Sequence, residues 1–144
     1  MARAWGLMPL SLSEARIVMA VKSYWKGRGK SFVYAWHGII ELFRHEANAQ
    51  FHLGAAVVVI AAGLFFRIST AEWCAVMLCI GAMFMAEAFN TAVEKLCDYS
   101  CQKRDDLIGK VKDIAAGAVL LMTAAVVAVG LIIFIPKIIL FIQY

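Results

Sequence analysis

Three long apolar stretches constrain this chain more than anything else in it. Residues 47–66 carry no formal charge, residues 73–93 are interrupted only by Glu87 and Asn90, and residues 114–136 are again charge-free. Each has about the 20 residues that a helix needs to cross a bilayer. Lipid cannot hydrogen-bond bare backbone groups, so each stretch must be helical. The composition agrees: 63% of the 144 residues are hydrophobic and the mean hydropathy is +0.79, which is too apolar for an ordinary soluble domain. The expected fold is an all-α membrane protein with three transmembrane helices, held together by helix packing rather than by a water-excluded core.

The charges orient it. Seven Lys or Arg residues precede the first span, five more lie in residues 95–113, and the first loop and the tail carry one each, Arg67 and Lys137. The N-terminus and the second loop should therefore face the cytoplasm. The net charge of +4 reads as this topology signal, since the basic residues flank apolar spans, and nucleic acid is not an expected partner.

Residues 31–45 place Phe32, Trp36, Ile39, Ile40 and Phe43 on one side of a helix, the pattern of an amphipathic helix lying on the cytoplasmic membrane surface. Gly27-Arg28-Gly29 reads as a hinge before it. The expected organisation is an N-terminal extension (1–30), a membrane domain (31–136) with surface helix 31–45 and spans 47–66, 73–93 and 114–136, and a tail (137–144). Residues 67–72 and 95–113 are expected to be loops. No long apolar core precedes a small-residue cleavage site, so a cleaved signal peptide is not expected.

The chemistry concentrates in the second span. Glu87, Asn90, Glu94 and Asp98 are spaced 3, 4 and 4 residues apart and so fall on one stripe of one helix. An ionisable residue inside a membrane is expensive and marks a functional site by default. Glu87 and Glu94 are separated by about 10.5 Å along the axis, too far to share a proton. A division of labour follows: a deep, desolvated Glu87 serves as general base, and Glu94 works near the aqueous boundary. Ion pairing at a helix interface is the plainer reading of either carboxylate taken alone.

Two further clusters sit at the same membrane face. Glu46, Asn48 and His52 mark the mouth of the first span, where Glu46 could join Glu94 as an oxygen ligand of Mg²⁺. Lys112-Asp113 opens the third span, where a lysine could neutralise phosphate charge. The four cysteines, Cys74, Cys79, Cys97 and Cys101, read as free thiols, because no His/Cys set completes a zinc site. A Walker-type phosphate loop and the protein-kinase motifs are absent from the sequence. Small residues crowd the start of the third span, among them Ala115, Ala116, Gly117 and Ala118, which lets helices approach closely. Three helices from one chain bury a charged stripe poorly, so a homo-oligomer is expected.

These residues resemble a known family, the prokaryotic integral-membrane diacylglycerol kinases and undecaprenol kinases. The resemblance rests on Tyr34-Ala-Trp36-x-Gly38, Glu46-x-Asn48-x-x-x-His52, Glu87-x-x-Asn90-Thr91-Ala-Val-Glu94-x-x-x-Asp98 and Lys112-Asp113-x-Ala-Ala116-Gly117-Ala-Val119, covering roughly residues 30–136. It implies three membrane helices plus a surface helix, a homotrimer with shared active sites, and transfer of the γ-phosphate of MgATP to the hydroxyl of a membrane lipid. By the same resemblance Glu87 is the catalytic base and Glu46 and Glu94 are the Mg²⁺ ligands. Lys30, Tyr34, Lys112 and Asp113 contact the nucleotide, and Asn90 supports the centre. Ala116 stands where diacylglycerol-specific members have serine. Together with Asn48 and His52 it favours undecaprenol over diacylglycerol as the lipid alcohol. Residues 101–106 depart from both branches, and the first 29 residues have no counterpart.

The sequence thus points to an ATP- and Mg²⁺-dependent lipid kinase in a bacterial inner (plasma) membrane, multi-pass, with its active site facing the cytoplasm. A rival from another class is a non-catalytic subunit or ion-conducting oligomer gated by Glu87. That reading gives no reason for Glu46, Glu94 and Lys112-Asp113 to gather at one membrane face.

Overall fold

A computed structural model describes residues 12–101 and 105–143, with side chains from Gly29 onward. Among the described residues the chain is all-helical: α1 (Leu12–His45), α2 (Ala47–Phe65), α3 (Thr70–Ser100) and α4 (Asp106–Gln143). The last three are long and apolar enough to cross a membrane. The chain divides into two units, Met1–Ile40 and Glu41–Tyr144. The first is described by the helix that runs through it, and Phe32, Trp36 and Ile39 are exposed along that helix. The second holds the three spans, with α3 packed mainly on α4 and also on α2.

Several expected boundaries move, each for a physical reason. α1 begins at Leu12 and runs without interruption through Gly27-Arg28-Gly29, so the expected hinge does not form. Each glycine costs only about 1 kcal/mol in a helix interior, which a long helix absorbs. The expected polar loop over 95–113 shrinks to the few residues between Ser100 and Asp106. Asp105 is the reason on one side. Its Oδ1 accepts from the backbone N–H of Leu107 at 2.8 Å and of Ile108 at 3.2 Å, satisfying two of the free donors of a helix N-terminus. Lys112-Asp113 therefore lies about two turns inside α4 rather than at its start. At the far end α4 continues past Pro136 to Gln143, so the expected tail is largely helical. Neighbouring groups in a membrane protein can tolerate the lost backbone bond at such a proline.

The turn between α2 and α3 is tightly determined. Ile68 N–H donates to Gly63 O at 3.1 Å and Arg67 N–H to Leu64 O at 3.3 Å, the paired bonds of a Schellman motif. Arg67 takes the left-handed position usually given to glycine, with φ 50°. Gly63 is required by close approach: a Cβ there would lie 2.9 Å from Trp73 Cη2 and 3.1 Å from Ile68 Cδ1. Ser69 then starts α3 with a capping box. Glu72 N–H donates to Ser69 Oγ at 3.3 Å, and Ser69 N–H donates to Glu72 Oε2 at 2.6 Å. Lys137 reaches Glu72 at 2.9 Å and ties α4 to that cap. Beneath it Ile68, Val76 and Ile133 form the buried apolar cluster, flanked by Trp73, Val129 and Phe134.

Candidate active site

α3 carries the expected stripe. Glu87 is 1% exposed, and Asn90 and Thr91 are also buried. Glu94, one turn beyond Asn90, is half-buried, and Asp98, one turn further, is exposed. The stripe therefore grades from dry to wet along the helix, as the division of labour between Glu87 and Glu94 requires. Glu87 Oε2 is buried without a hydrogen-bond partner among the described residues, and so is Asn90 Oδ1. A buried acceptor left unpaired costs about 1–3 kcal/mol. Asn90 Nδ2 donates to Glu94 Oε1 at 3.3 Å and so orients that carboxylate.

Glu46 is brought to the same unit by the break between α1 and α2. Its backbone is extended (φ −104°, ψ 111°) and its side chain does not cap α2. Instead Gln50 Nε2 donates to the carbonyls of Phe43 and Arg44, both at 3.2 Å, satisfying the end of α1. The Glu46 carboxylate is left to face α3, where Lys95 Nζ sits 3.1 Å from its Oε1. Lys95 also lies 3.4 Å from Glu41 Oε1, and Glu41 pairs in turn with His45 at 3.6 Å. On α4, Lys112 Nζ donates to Asp98 Oδ1.

These pairs tie the expected residues to partners that residue order alone does not show. Lys95 reads in the sequence only as a topology signal, although its place next to Glu94 puts a cation beside the stripe. Asp98 belongs to the stripe, and the structure makes it the anchor of Lys112. Glu41 carries no signal in the sequence and pairs with Lys95. The other expected residues are placed less tellingly. Asn48, Asp113 and Ala116 are exposed, and His52 is half-buried with its ring 5.8 Å from that of Phe51. Lys30 and Tyr34 are exposed on the first unit.

Glu46 and Glu94 are the candidate ligands for Mg²⁺. No group of three or more His, Cys, Asp or Glu side chains converges on a metal position among the described residues. Mg²⁺ needs no such cage, because it keeps several waters and takes one or two carboxylates together with substrate phosphates. Two acidic oxygen donors at a polar edge fit that habit. Lys95 already holds a positive charge against Glu46.

The family profile described as prokaryotic diacylglycerol kinase matches residues 33–134. The chain is similar to an undecaprenol kinase of Bacillus subtilis (strain 168), 44% identical over 108 residues, which is 75% of this chain and 88% of that protein. It is also similar to a diacylglycerol kinase of a Synechocystis species, 35% identical over 101 residues, 69% of this chain and 58% of that protein. The matched region contains every candidate residue except Lys30 and reaches well past the stripe. On these grounds the chain belongs to the prokaryotic diacylglycerol kinase family.

Proposed function

We propose that this protein is a membrane lipid kinase that transfers the γ-phosphate of ATP to a lipid alcohol, with undecaprenol preferred over diacylglycerol. The observation that carries the mechanism is the Glu87 carboxylate, buried and with Oε2 unpartnered in an apolar span. Such an oxygen is an acceptor for a donor that arrives from elsewhere, and a lipid hydroxyl is a donor that reaches it through the bilayer.

In this reading the lipid hydroxyl oxygen attacks the γ-phosphorus in line, the bond to the β-phosphate oxygen breaks and ADP departs. Glu87 takes the hydroxyl proton. Glu46 and Glu94 would hold Mg²⁺, and the chemistry the ion supplies when bound is neutralisation of charge on the phosphate oxygens. Asn90 keeps Glu94 oriented. Lys112, held by Asp98, presents a positive charge toward the nucleotide, with Asp113, Lys30 and Tyr34 as further nucleotide contacts. Asn48, His52 and Ala116 belong to the lipid side of the site. The N-terminus and the turn between α3 and α4 face the cytoplasm of a bacterial inner membrane, where ATP arrives. Assembly as a homotrimer rests on the family resemblance, since a single chain already buries Glu87.

Two findings support the acceptor preference. One is the higher identity and coverage of the undecaprenol kinase relative. The other is the side-chain chemistry around Ala116, where Ala115, Gly117 and Ala118 supply no donor for ester carbonyls. The test is chromatography of radiolabelled products from protein in lipid given labelled ATP and equal surface amounts of the two alcohols. Polyprenyl phosphate in excess supports the preference. Phosphatidate in excess overturns the preference alone, and no labelled lipid overturns the kinase reading.

A further inference from the structure

An apolar groove of about 190 Å³ runs between α2, α3 and α4, and of its lining residues the chemistry above uses only His52. Its α3 wall runs from Phe84 and Met83 down to Cys79 and Val76. Glu87 follows Phe84 and Met83 by three and four residues, so all three share a helix face. Helical side chains lean toward the helix N-terminus, which carries the Glu87 carboxyl over the turn containing Met83 and Phe84. The α3 wall of the groove therefore ends about one turn short of the unpartnered carboxylate and follows α3 for about 12 Å, from the level of Phe84 to that of Val76.

The α4 wall runs alongside. Thr123 lies 3.7 Å from the Met83 sulfur, and Ile133 packs with Val76 at the far end. Between these levels stands Gly130, where an added Cβ would meet no atom within 4 Å. The polar groups on the walls are few. The Thr123 hydroxyl is already engaged with the Val119 carbonyl at 2.9 Å, which leaves the Cys79 thiol and the His52 imidazole.

We infer that this groove holds the hydrocarbon chain of the acceptor alcohol, a single linear isoprenoid tail, with Gly130 leaving the room for it. The inference rests on the kinase reading. A ligand with one terminal hydroxyl and a wholly apolar body matches a site with one buried acceptor at its head and apolar walls below. A phospholipid would bring two ester groups to walls that offer only the His52 imidazole and the weak Cys79 thiol as donors, where unpaired carbonyls are penalised. A second copy of this chain offering an apolar helix face would fill the groove but leave Glu87 Oε2 unpartnered.

The test uses the full chain in phosphatidylcholine vesicles with a long polyprenol that carries a photoactivatable diazirine partway along its chain. Illumination without ATP should label residues of the groove, Cys79, Met83 and Gly130 among them, and excess undecaprenol should suppress the labelling where excess phosphatidylcholine does not. Labels spread over the outer helix faces, suppression by phosphatidylcholine, or protection that depends instead on contact between copies would overturn the inference. This readout needs no turnover, so it stands apart from the kinase assay. Gly130→Leu should then lower kcat/KM for undecaprenol about tenfold while leaving the one-unit alcohol prenol, too short to reach that level, within about twofold. Gly130→Ala, with its single added carbon in open space, should show the same bias more weakly. Equal losses for both alcohols in both variants would contradict a chain-holding role. Phosphorylation of neither alcohol by the unaltered protein would defeat the kinase reading, and the photolabelling would still decide the groove.

Discussion

Asn90, one helical turn beyond the buried Glu87, donates from Nδ2 to Glu94 Oε1 at 3.3 Å. The bond fixes one oxygen of Glu94 and leaves its other oxygen to a ligand. Groups that orient metal ligands in this way matter nearly as much as the ligands themselves. Asn90→Ala should therefore raise the Mg²⁺ concentration needed for half-maximal phosphoryl transfer by about 10-fold or more. Titration of activity with Mg²⁺ at saturating ATP measures this, and an unshifted midpoint would remove Asn90 from the metal side of the site.

A second expectation concerns the outer turn. Gly63 has no space for a Cβ against Trp73 and Ile68. Gly63→Val forces the indole to move and should destabilise the bundle by about 1–3 kcal/mol, the usual cost of overpacking. Thermal unfolding in detergent should show a lower Tm, while Gly130→Ala, a substitution into open space, should leave it nearly unchanged. The opposite order would mean that the α2–α3 turn is not packed as described.

The topology can be read with thiol reagents. Ser69 caps α3, so a reporter cysteine belongs at the neighbouring exposed Thr70 and at the end of α4, at Gln143. Both should react with an impermeant maleimide applied to intact cells, in a background where the four native cysteines are replaced by serine. Reaction only after lysis would invert the arrangement of charges argued from the sequence.

Acceptor choice should respond to Ala116. A serine there adds a donor that an ester carbonyl can use. Ala116→Ser should move the ratio of rates toward diacylglycerol by about tenfold, equivalent to about 1.4 kcal/mol. Competition between the two alcohols at equal surface concentration measures it, and an unchanged ratio would place acceptor selection elsewhere on the chain.

Much of this was legible from residue order because periodicity carries it. The three spans and the face shared by Glu87, Asn90, Glu94 and Asp98 follow from counting residues per turn, while the gradient of burial along that face comes from the packing of α3 against its neighbours. The end of α3 and the start of α4 were not legible, because a polar stretch reads as loop until a cap such as Asp105 is seen to close it. Gly27 and Gly29 misled for the converse reason, since local propensity marks a break that a long helix can override. The least legible features are the ion pairs. Lys95 meets Glu41 across 54 residues of sequence, and only the packing of α3 against the end of α1 brings such a pair together.

The central claim is that Glu87 accepts the proton of a lipid hydroxyl. Single-turnover transfer from radiolabelled ATP to undecaprenol, compared between the unaltered protein and Glu87→Gln, tests it most directly. The amide keeps the shape and removes the base. Nucleotide binding should survive, and the rate of transfer should fall by about 10²–10⁴-fold, the range of general-base contributions. Transfer by Glu87→Gln at the rate of the unaltered protein would contradict the account.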